Sequence, residues 1–174
     1  MSLAMSLCLA VSSLGVSSDA KNTACKDMPY IVEQAKAEGF DPTLIVSMIY
    51  VESRFEKGAK STGNACGLMQ LIPKWNKEKV NGKLIKYSCE EIKDPKLNIR
   101  LGVKALKRWL KSTGSLDRAL CGYNAGNICR KPRRSKKDSP NKSFKKHIKY
   151  PSKFRYVKAV RRIERKVKRR LTKL

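Results

Sequence analysis

One carboxylate, Glu52, lies in the middle of an apolar helical stripe. At about 100° per residue, Glu52 falls within about 60° of Ile45, Met48 and Ile49 around the helix axis. A carboxylate in such a position is costly unless it is paired or protonated. Desolvation would raise its pKa, and a carboxyl group that stays protonated near neutral pH is what a general acid needs. The alternative is structural, with Glu52 in an ordinary ion pair with Arg54 or Lys60.

Several helices are expected around this residue. Asp41 before Pro42 is a helix N-cap followed by proline at the first helical position, which predicts a helix from about Pro42 to about Phe55. Asn81-Gly82 marks a turn that could join two short strands. Helical spacing and capping residues predict further helices over Tyr30 to Glu38, from Asp94-Pro95 to near Gly114, over Leu116 to Tyr123, and from Tyr156 to the C-terminus.

The composition indicates one domain with a strong preference for anionic partners. The chain has 174 residues, with 40 Lys and Arg against 14 Asp and Glu, for a net charge of +26. Such a charge favours nucleic acid, anionic lipid or an acidic wall polymer, and does not choose among them. No stretch approaches the roughly 18 uninterrupted apolar residues of a membrane-spanning helix.

The N-terminus and the cysteines both favour an exported protein. Residues 1–20 carry a short apolar stretch and end in small residues near Ala20, which resembles a secretory signal without its basic start. Removal of this segment would leave an odd set of cysteines, for which one or two disulfides or buried free thiols are both plausible: Cys25, Cys66, Cys89, Cys121 and Cys129. With one histidine, His147, and no CxxC pair, we expect no metal site.

Four blocks in order make the sequence similar to a known family. They are Val51-Glu52-Ser53-Arg54-Phe55, Asn64-Ala65-Cys66-Gly67-Leu68-Met69-Gln70, Asn98-Ile99-Arg100-Leu101-Gly102 and Gly122-Tyr123-Asn124-Ala125-Gly126. Each block alone is weak. Together, over roughly Tyr30 to Tyr156, they resemble the catalytic domain of the soluble lytic transglycosylases.

The resemblance implies a mainly α (α+β, lysozyme-like) fold, with a small irregular or β-turn insertion, and a groove for the peptidoglycan glycan strand. Glu52 falls at the position of the family's single catalytic acid/base, which protonates the MurNAc-GlcNAc β-1,4 oxygen and then deprotonates the muramoyl C6 hydroxyl to close a 1,6-anhydro ring. No cofactor is implied. The positions expected to contact substrate are Ser53, Met69, Gln70, Tyr123, Asn124 and Tyr156, with core packing as the alternative for Met69.

The last family block departs from the pattern. Where the family has a Pro-Glu-Thr-Arg-x-Tyr segment, this chain keeps Pro151 and Tyr156 but replaces the Glu and Arg. Tyr156 is still expected to bond and orient Glu52. A hydrolytic muramidase would need a second acid roughly 5 to 9.5 Å from the first. The nearest candidate in sequence is Glu56, which we interpret as solvated surface.

These observations divide the chain into a signal peptide (1–20), a catalytic domain (21–160) and a basic helical extension (161–174). We expect a monomer that is exported to the periplasm or outside the cell, or carried in a virion. The basic C-terminus could bind an anionic wall or membrane surface, disrupt membranes as an amphipathic helix, or be a merely solvated face. A nucleic-acid-binding protein is the rival from another class. No specific nucleic acid is expected, because the tail has no interleaved aromatic residues for stacking on bases.

Overall fold

The computed structural model describes residues 1–129 and 154–174, and within them the chain forms helices and one small hairpin. No helix in these two ranges is long and apolar enough to cross a membrane. The basic stretch from Arg130, with His147 and Pro151, lies outside the described residues. In chain order the elements are α1 (Leu3–Ser12), α2 (Ser18–Ala37), α3 (Pro42–Ser53), β1 (Glu78–Val80), β2 (Lys83–Ile85), α4 (Cys89–Ile92), α5 (Pro95–Thr113), α6 (Leu116–Ala125) and α7 (Arg155–Leu171).

Helix α3 forms the centre of the core. Its predicted start is confirmed, since Asp41 Oδ1 accepts from the Thr43 amide at 2.9 Å and Pro42 opens the helix. The helix ends at Ser53, two residues before the expected Phe55, because Arg54 and Phe55 take left-handed φ angles of 52° and 67°. It is buried on every side rather than along one stripe, as a central helix must be.

Helix α7 packs antiparallel to α3. At one end Lys168 Nζ contacts Asp41 Oδ2 at 2.8 Å, and at the other end Tyr156 reaches Glu52. The apolar side of α7 is in the core, where Val157, Val160 and Val167 are fully buried. The helix runs unbroken across residue 160, so residues 161–174 are not a separate extension. The expected boundary at residue 160 falls inside α7, because the apolar stripe continues past it and buries Ile163 and Val167 in the core.

The N-terminal segment also belongs to the packed fold in this structure. Leu7 and Val11 of α1 are fully buried, and Cys8 is bonded to Cys25 of α2. Helix α2 begins at Ser18, twelve residues before the start expected at Tyr30, because the Ser17 hydroxyl accepts from the Ala20 amide as an N-cap. Removal of the segment up to Ala20 before oxidation would take away α1 and leave Cys25 without Cys8 as its partner. Removal of residues 1–20 stays a prediction.

All six cysteines are paired. The other two disulfides, Cys66–Cys89 and Cys121–Cys129, lie beside two of the sequence blocks, and neither block keeps a free thiol. From the sequence, we expect an odd number of cysteines because Cys8 would be removed with the predicted signal peptide.

The small hairpin is held against α5 by one acid. Asn81 and Gly82, with φ of 49° and 79°, make the predicted turn between β1 and β2. Glu78 on β1 accepts from Arg100 at 2.6 and 2.8 Å and from the Tyr87 hydroxyl at 2.6 Å. Hydrogen bonding to Arg100 is the main reason that the pKa of Glu78 falls to about 2. Glu78 is therefore a structural anion.

The contact between α5 and α6 gives a stability prediction. A Cβ at Gly122 would lie 2.4 Å from a ring carbon of Trp109, whereas a Cβ at Gly58 would meet no atom within 4 Å. We expect Gly122→Ala to lower the free energy of unfolding by about 1–3 kcal/mol through overpacking. Gly58→Ala should change it little. Urea unfolding of both oxidised variants measures this difference, and equal effects would contradict the packing.

Candidate active site

Glu52 lies in the last turn of α3 and is largely buried without a charged partner. Neither Arg54 nor Lys60 forms an ion pair with it, and no other residue in the described ranges does. Desolvation raises the pKa of Glu52 to about 7. The interpretation of Glu52 as half of an ordinary surface ion pair is therefore wrong. This carboxyl group can hold a proton at neutral pH and release it again.

Tyr156 brings α7 to this carboxyl group. Its hydroxyl interacts with Glu52 and partly counteracts the rise in the pKa of Glu52. The hydroxyl is buried and has no hydrogen bond of ordinary length and angle to the described residues. The contact with Glu52 is therefore longer or more bent than a normal hydrogen bond. Burial and the charge of Glu52 raise the pKa of Tyr156 well above its usual value, so the hydroxyl stays protonated as a donor.

Tyr123 comes from α6 and closes another side of the site. Its hydroxyl donates to the Met69 carbonyl at 2.8 Å, and its pKa is raised well above its usual value by burial first and by the charge of Glu52 second. The two tyrosines thus place protonated hydroxyl groups near one carboxyl group. Asn124, the next residue, is exposed on α6 and available to a ligand.

Ser53 and Gln70 hold the loop between α3 and the hairpin. The Ser53 hydroxyl donates to the Leu68 carbonyl at 2.8 Å. The Gln70 amide nitrogen donates to the carbonyls of Ala59 and Gly67 at 3.2 and 3.0 Å. In this state the donors of both side chains are engaged by backbone, so direct substrate contact by these residues stays a prediction.

Met69 does not reach the surface. Its side chain is fully buried, and a Cβ at Gly102 would lie 2.3 Å from its sulfur, so it packs tightly on α5. From the sequence, we expect Met69 to contact substrate. The structure instead places its side chain in the core, as the alternative of core packing predicts. Met69 contributes to the site through its backbone, because its carbonyl oxygen accepts the hydrogen bond that positions the Tyr123 hydroxyl.

Asn98 is the positioning residue that sequence reasoning did not single out. It is fully buried on α5, donates to the carbonyls of Cys66 and Ile92 at 2.9 Å each, and accepts from the Met69 amide at 2.7 Å. Gly67 is required beside it, because a Cβ there would lie 2.3 Å from the Asn98 amide nitrogen. An amide on the apolar stripe of a helix is the signal that could have identified it.

Glu56 is not placed to act with Glu52. Helix α3 ends before it, the backbone turns at Arg54 and Phe55, and its side chain is exposed. Within the described ranges, burial and Tyr156 account for the pKa of Glu52, with no contribution from a second carboxylate. The remaining segment, residues 130–153, contains a single acid, Asp138.

The burial of Glu52 predicts how stability changes with pH. Because its pKa is about 7 when folded and 4.5 ordinarily, the folded state binds more protons between these values. The free energy of unfolding should therefore fall as pH rises through that window, by at most roughly 3 kcal/mol. Glu52→Gln should lose this dependence and Glu56→Gln should retain it. Urea unfolding from pH 4 to pH 8 is the measurement, and parallel curves for both variants would contradict the burial of Glu52.

Comparisons with known proteins agree with this arrangement. The family model described as the transglycosylase SLT domain matches residues 29–148. Membrane-bound lytic murein transglycosylase E of Buchnera aphidicola is 41% identical over 85 residues, which is 47% of this chain and 38% of that protein. Membrane-bound lytic murein transglycosylase C of Haemophilus influenzae is 36% identical over 97 residues, which is 54% of this chain and 27% of that protein.

A solved structure shares the fold. The lytic transglycosylase Slt of Pseudomonas aeruginosa, in an inactive mutant with Gln in place of a Glu, matches with a TM-score of 0.58 and 25% identity over 83% of this chain and 24% of that one. The expected mainly helical, lysozyme-like fold is confirmed. The chain spans less than half the length of each of these relatives. Because the family model covers well over half of the sequence, the chain belongs to the transglycosylase SLT domain family.

Proposed function

We propose that this chain is a peptidoglycan lytic transglycosylase that uses Glu52 as its single acid and base. The observation that carries the proposal is a buried carboxyl group with no ion-pair partner in the described ranges and a pKa of about 7, facing two protonated tyrosines. A group with this pKa is present in both protonation states at neutral pH. One residue can therefore serve both halves of the reaction.

In the first half, protonated Glu52 gives its proton to the oxygen between N-acetylmuramic acid and N-acetylglucosamine. The bond from that oxygen to the muramoyl C1 breaks, and the N-acetylglucosamine side leaves with a free hydroxyl. The developing positive charge at C1 is met by the substrate's own acetamido group or remains oxocarbenium-like. The Tyr156 hydroxyl, aimed at Glu52, stabilises the carboxylate that this transfer leaves behind.

In the second half, the Glu52 carboxylate takes the proton from the muramoyl C6 hydroxyl. The C6 oxygen then bonds to C1, which closes the 1,6-anhydro ring and restores the protonated acid. No water is consumed. Hydrolysis would need a second carboxylate, as the general base that activates water or as a nucleophile. Glu56, the nearest acid in sequence, is exposed beyond the end of α3, which supports the route without water.

The relatives support the assignment. Two of them are named lytic murein transglycosylases, and the Slt structure of an inactive mutant has Gln in place of a Glu. Within the candidate site, we assign sugar contact to the exposed Asn124 amide and to the Tyr123 ring, with Ser53 and Gln70 shaping the loop opposite them.

The three disulfides support an exported enzyme. Paired cysteines persist in oxidising compartments such as the periplasm or the extracellular space, and peptidoglycan is reached from there.

Product analysis tests the proposal directly. Wild-type protein incubated with purified peptidoglycan should release muropeptides ending in 1,6-anhydro-N-acetylmuramic acid, identified by mass spectrometry. Glu52→Gln cannot donate or accept the proton and should lose at least about 100-fold in rate. Glu56→Gln is the matched control and should keep wild-type activity.

Two outcomes would overturn the proposal. Reducing-end products that carry oxygen from labelled water would indicate a hydrolytic muramidase. No products from folded wild-type protein would favour a non-enzymatic polyanion-binding protein.

The role of Tyr156 predicts a change in the pH profile. Because its hydroxyl lowers the pKa of Glu52, Tyr156→Phe should raise that pKa and move the alkaline limb of kcat/KM to higher pH. The limb lies near pH 7 in the wild type if Glu52 must be protonated to begin the reaction. Turbidity loss of peptidoglycan suspensions from pH 5 to pH 9 gives both profiles. A lower rate with an unmoved limb would mean that Tyr156 only supports packing.

A further inference from the structure

The outer side of α7 carries a row of basic side chains that the active site does not use. Their spacing of three or four residues places one or two of them on each turn, within an arc of about 100°. All are exposed and none pairs with a described acid. We call them the α7 cationic row: Arg155, Lys158, Arg162, Arg165, Lys166 and Arg169.

The acids near α7 lie on its other side. Glu164 is largely buried and binds Arg161 at 2.9 Å and Lys168 at 3.0 Å, and Asp117 binds Arg161 at 2.8 Å. An open groove of about 970 Å³ follows this flank, with Arg155, Lys158 and Arg162 along it. Glu52 and Tyr156 are not among its lining residues, so the groove is distinct from the candidate active site.

Helix α7 cannot insert into a bilayer while the enzyme stays folded. Its apolar side chains are in the core, and Tyr156 on that side contacts Glu52. Membrane disruption by an inserted α7 would therefore dismantle the active site. Whatever the cationic row binds must be bound from the surface.

Helix α1 provides the apolar part of the same surface. Met5 and Leu9 lie one turn apart on the same side of α1 and are exposed to 54% and 43%. Residues 1–18 contain no charged side chain. Two large apolar side chains exposed together on one side of a helix form an apolar face, which on a highly charged protein indicates a contact surface.

The apolar face and the cationic row adjoin. Helices α1 and α7 pack against each other, and the Arg170 guanidinium donates to the Ser13 hydroxyl. Ser13 follows Leu9 by one helical turn, and Arg170 follows Lys166 by one helical turn. The contact therefore brings the edge of the apolar face next to the C-terminal half of the row.

We propose that, in the chain that retains residues 1–20, this combined surface binds the face of a membrane rich in anionic lipid. The row would neutralise headgroup phosphates, and the α1 side chains would enter the boundary between headgroups and acyl chains. A phosphate polymer or nucleic acid would use the row alone and leave the α1 face unexplained. Because α7 carries the row on one side and Tyr156 on the other, membrane binding would leave the active site intact.

Vesicle co-sedimentation of the full-length protein tests this surface. The probes are vesicles of phosphatidylcholine with and without 30% phosphatidylglycerol, at about 0.1 M salt, where exposed charges more than a Debye length apart are screened. Intact mass confirms that α1 is present in the sample. Binding should require phosphatidylglycerol and weaken as salt rises. Met5→Ser with Leu9→Ser should reduce the partition coefficient about ten-fold.

Two quadruple variants with the same net charge distinguish the contribution of the α7 cationic row to binding from that of net charge alone. R162Q/R165Q/K166Q/R169Q should reduce partitioning at least about 100-fold, since each basic residue near an anionic surface contributes about a factor of five. K21Q/K36Q/K79Q/K83Q removes the same charge from exposed positions elsewhere and should retain most of the binding. Circular dichroism and melting temperature check that all variants are folded.

Two results would overturn the proposal. Equal losses in the two quadruple variants would mean that net charge alone drives binding. Unchanged binding after the α1 substitutions, with tighter binding to a phosphate polymer than to vesicles, would make the row a polyanion site. Since vesicle binding needs no catalysis, none of these results bears on the transglycosylase proposal.

Discussion

The arrangement of this protein depends on one costly feature, a carboxyl group held largely out of water with no cation beside it among residues 1–129 and 154–174. Glu52 extends the most deeply buried helix, and the helices around it supply tyrosine hydroxyl groups rather than charges. In a chain with 40 basic residues, the absence of a cation from the described surroundings of this acid is a strong constraint. An adjacent lysine or arginine would lower the pKa of Glu52 and remove its use as an acid.

The surroundings of Glu52 are built to maintain that environment. Asn98 uses its amide to fix the loop from Cys66 to Met69, and Gly67 leaves room for it. The Cys66–Cys89 disulfide closes the same loop against α4, and the Met69 carbonyl then positions Tyr123. The residues that hold the site are therefore mostly buried and polar, and they act through backbone groups.

Helix α7 joins two different environments. Its inner side completes the core and brings Tyr156 to Glu52, whereas its outer side is a row of cations that pair with no acid in the part of the chain that the structure describes. Glu164 and Asp41 neutralise the basic residues nearest the core, so the packed side stays electrically balanced while the outer side does not. A segment that looks like an appendage in composition is thus part of the folded domain that contains Glu52.

The local elements and the placement of Glu52 on an apolar helix stripe could be predicted from the sequence alone. N-caps at Asp41 and Asp94, the Asn81-Gly82 turn and the position of Glu52 on an apolar stripe are local properties, because backbone geometry and helical periodicity decide them. Other features needed the tertiary structure, since they depend on contacts between distant segments. Among these are the pairing of Cys8 with Cys25, the burial of Met69 against Gly102 and the role of Asn98. The pKa of Glu52 belongs to both groups: the stripe predicts its burial, but only packing by α6 and α7 determines that tyrosines rather than cations surround it.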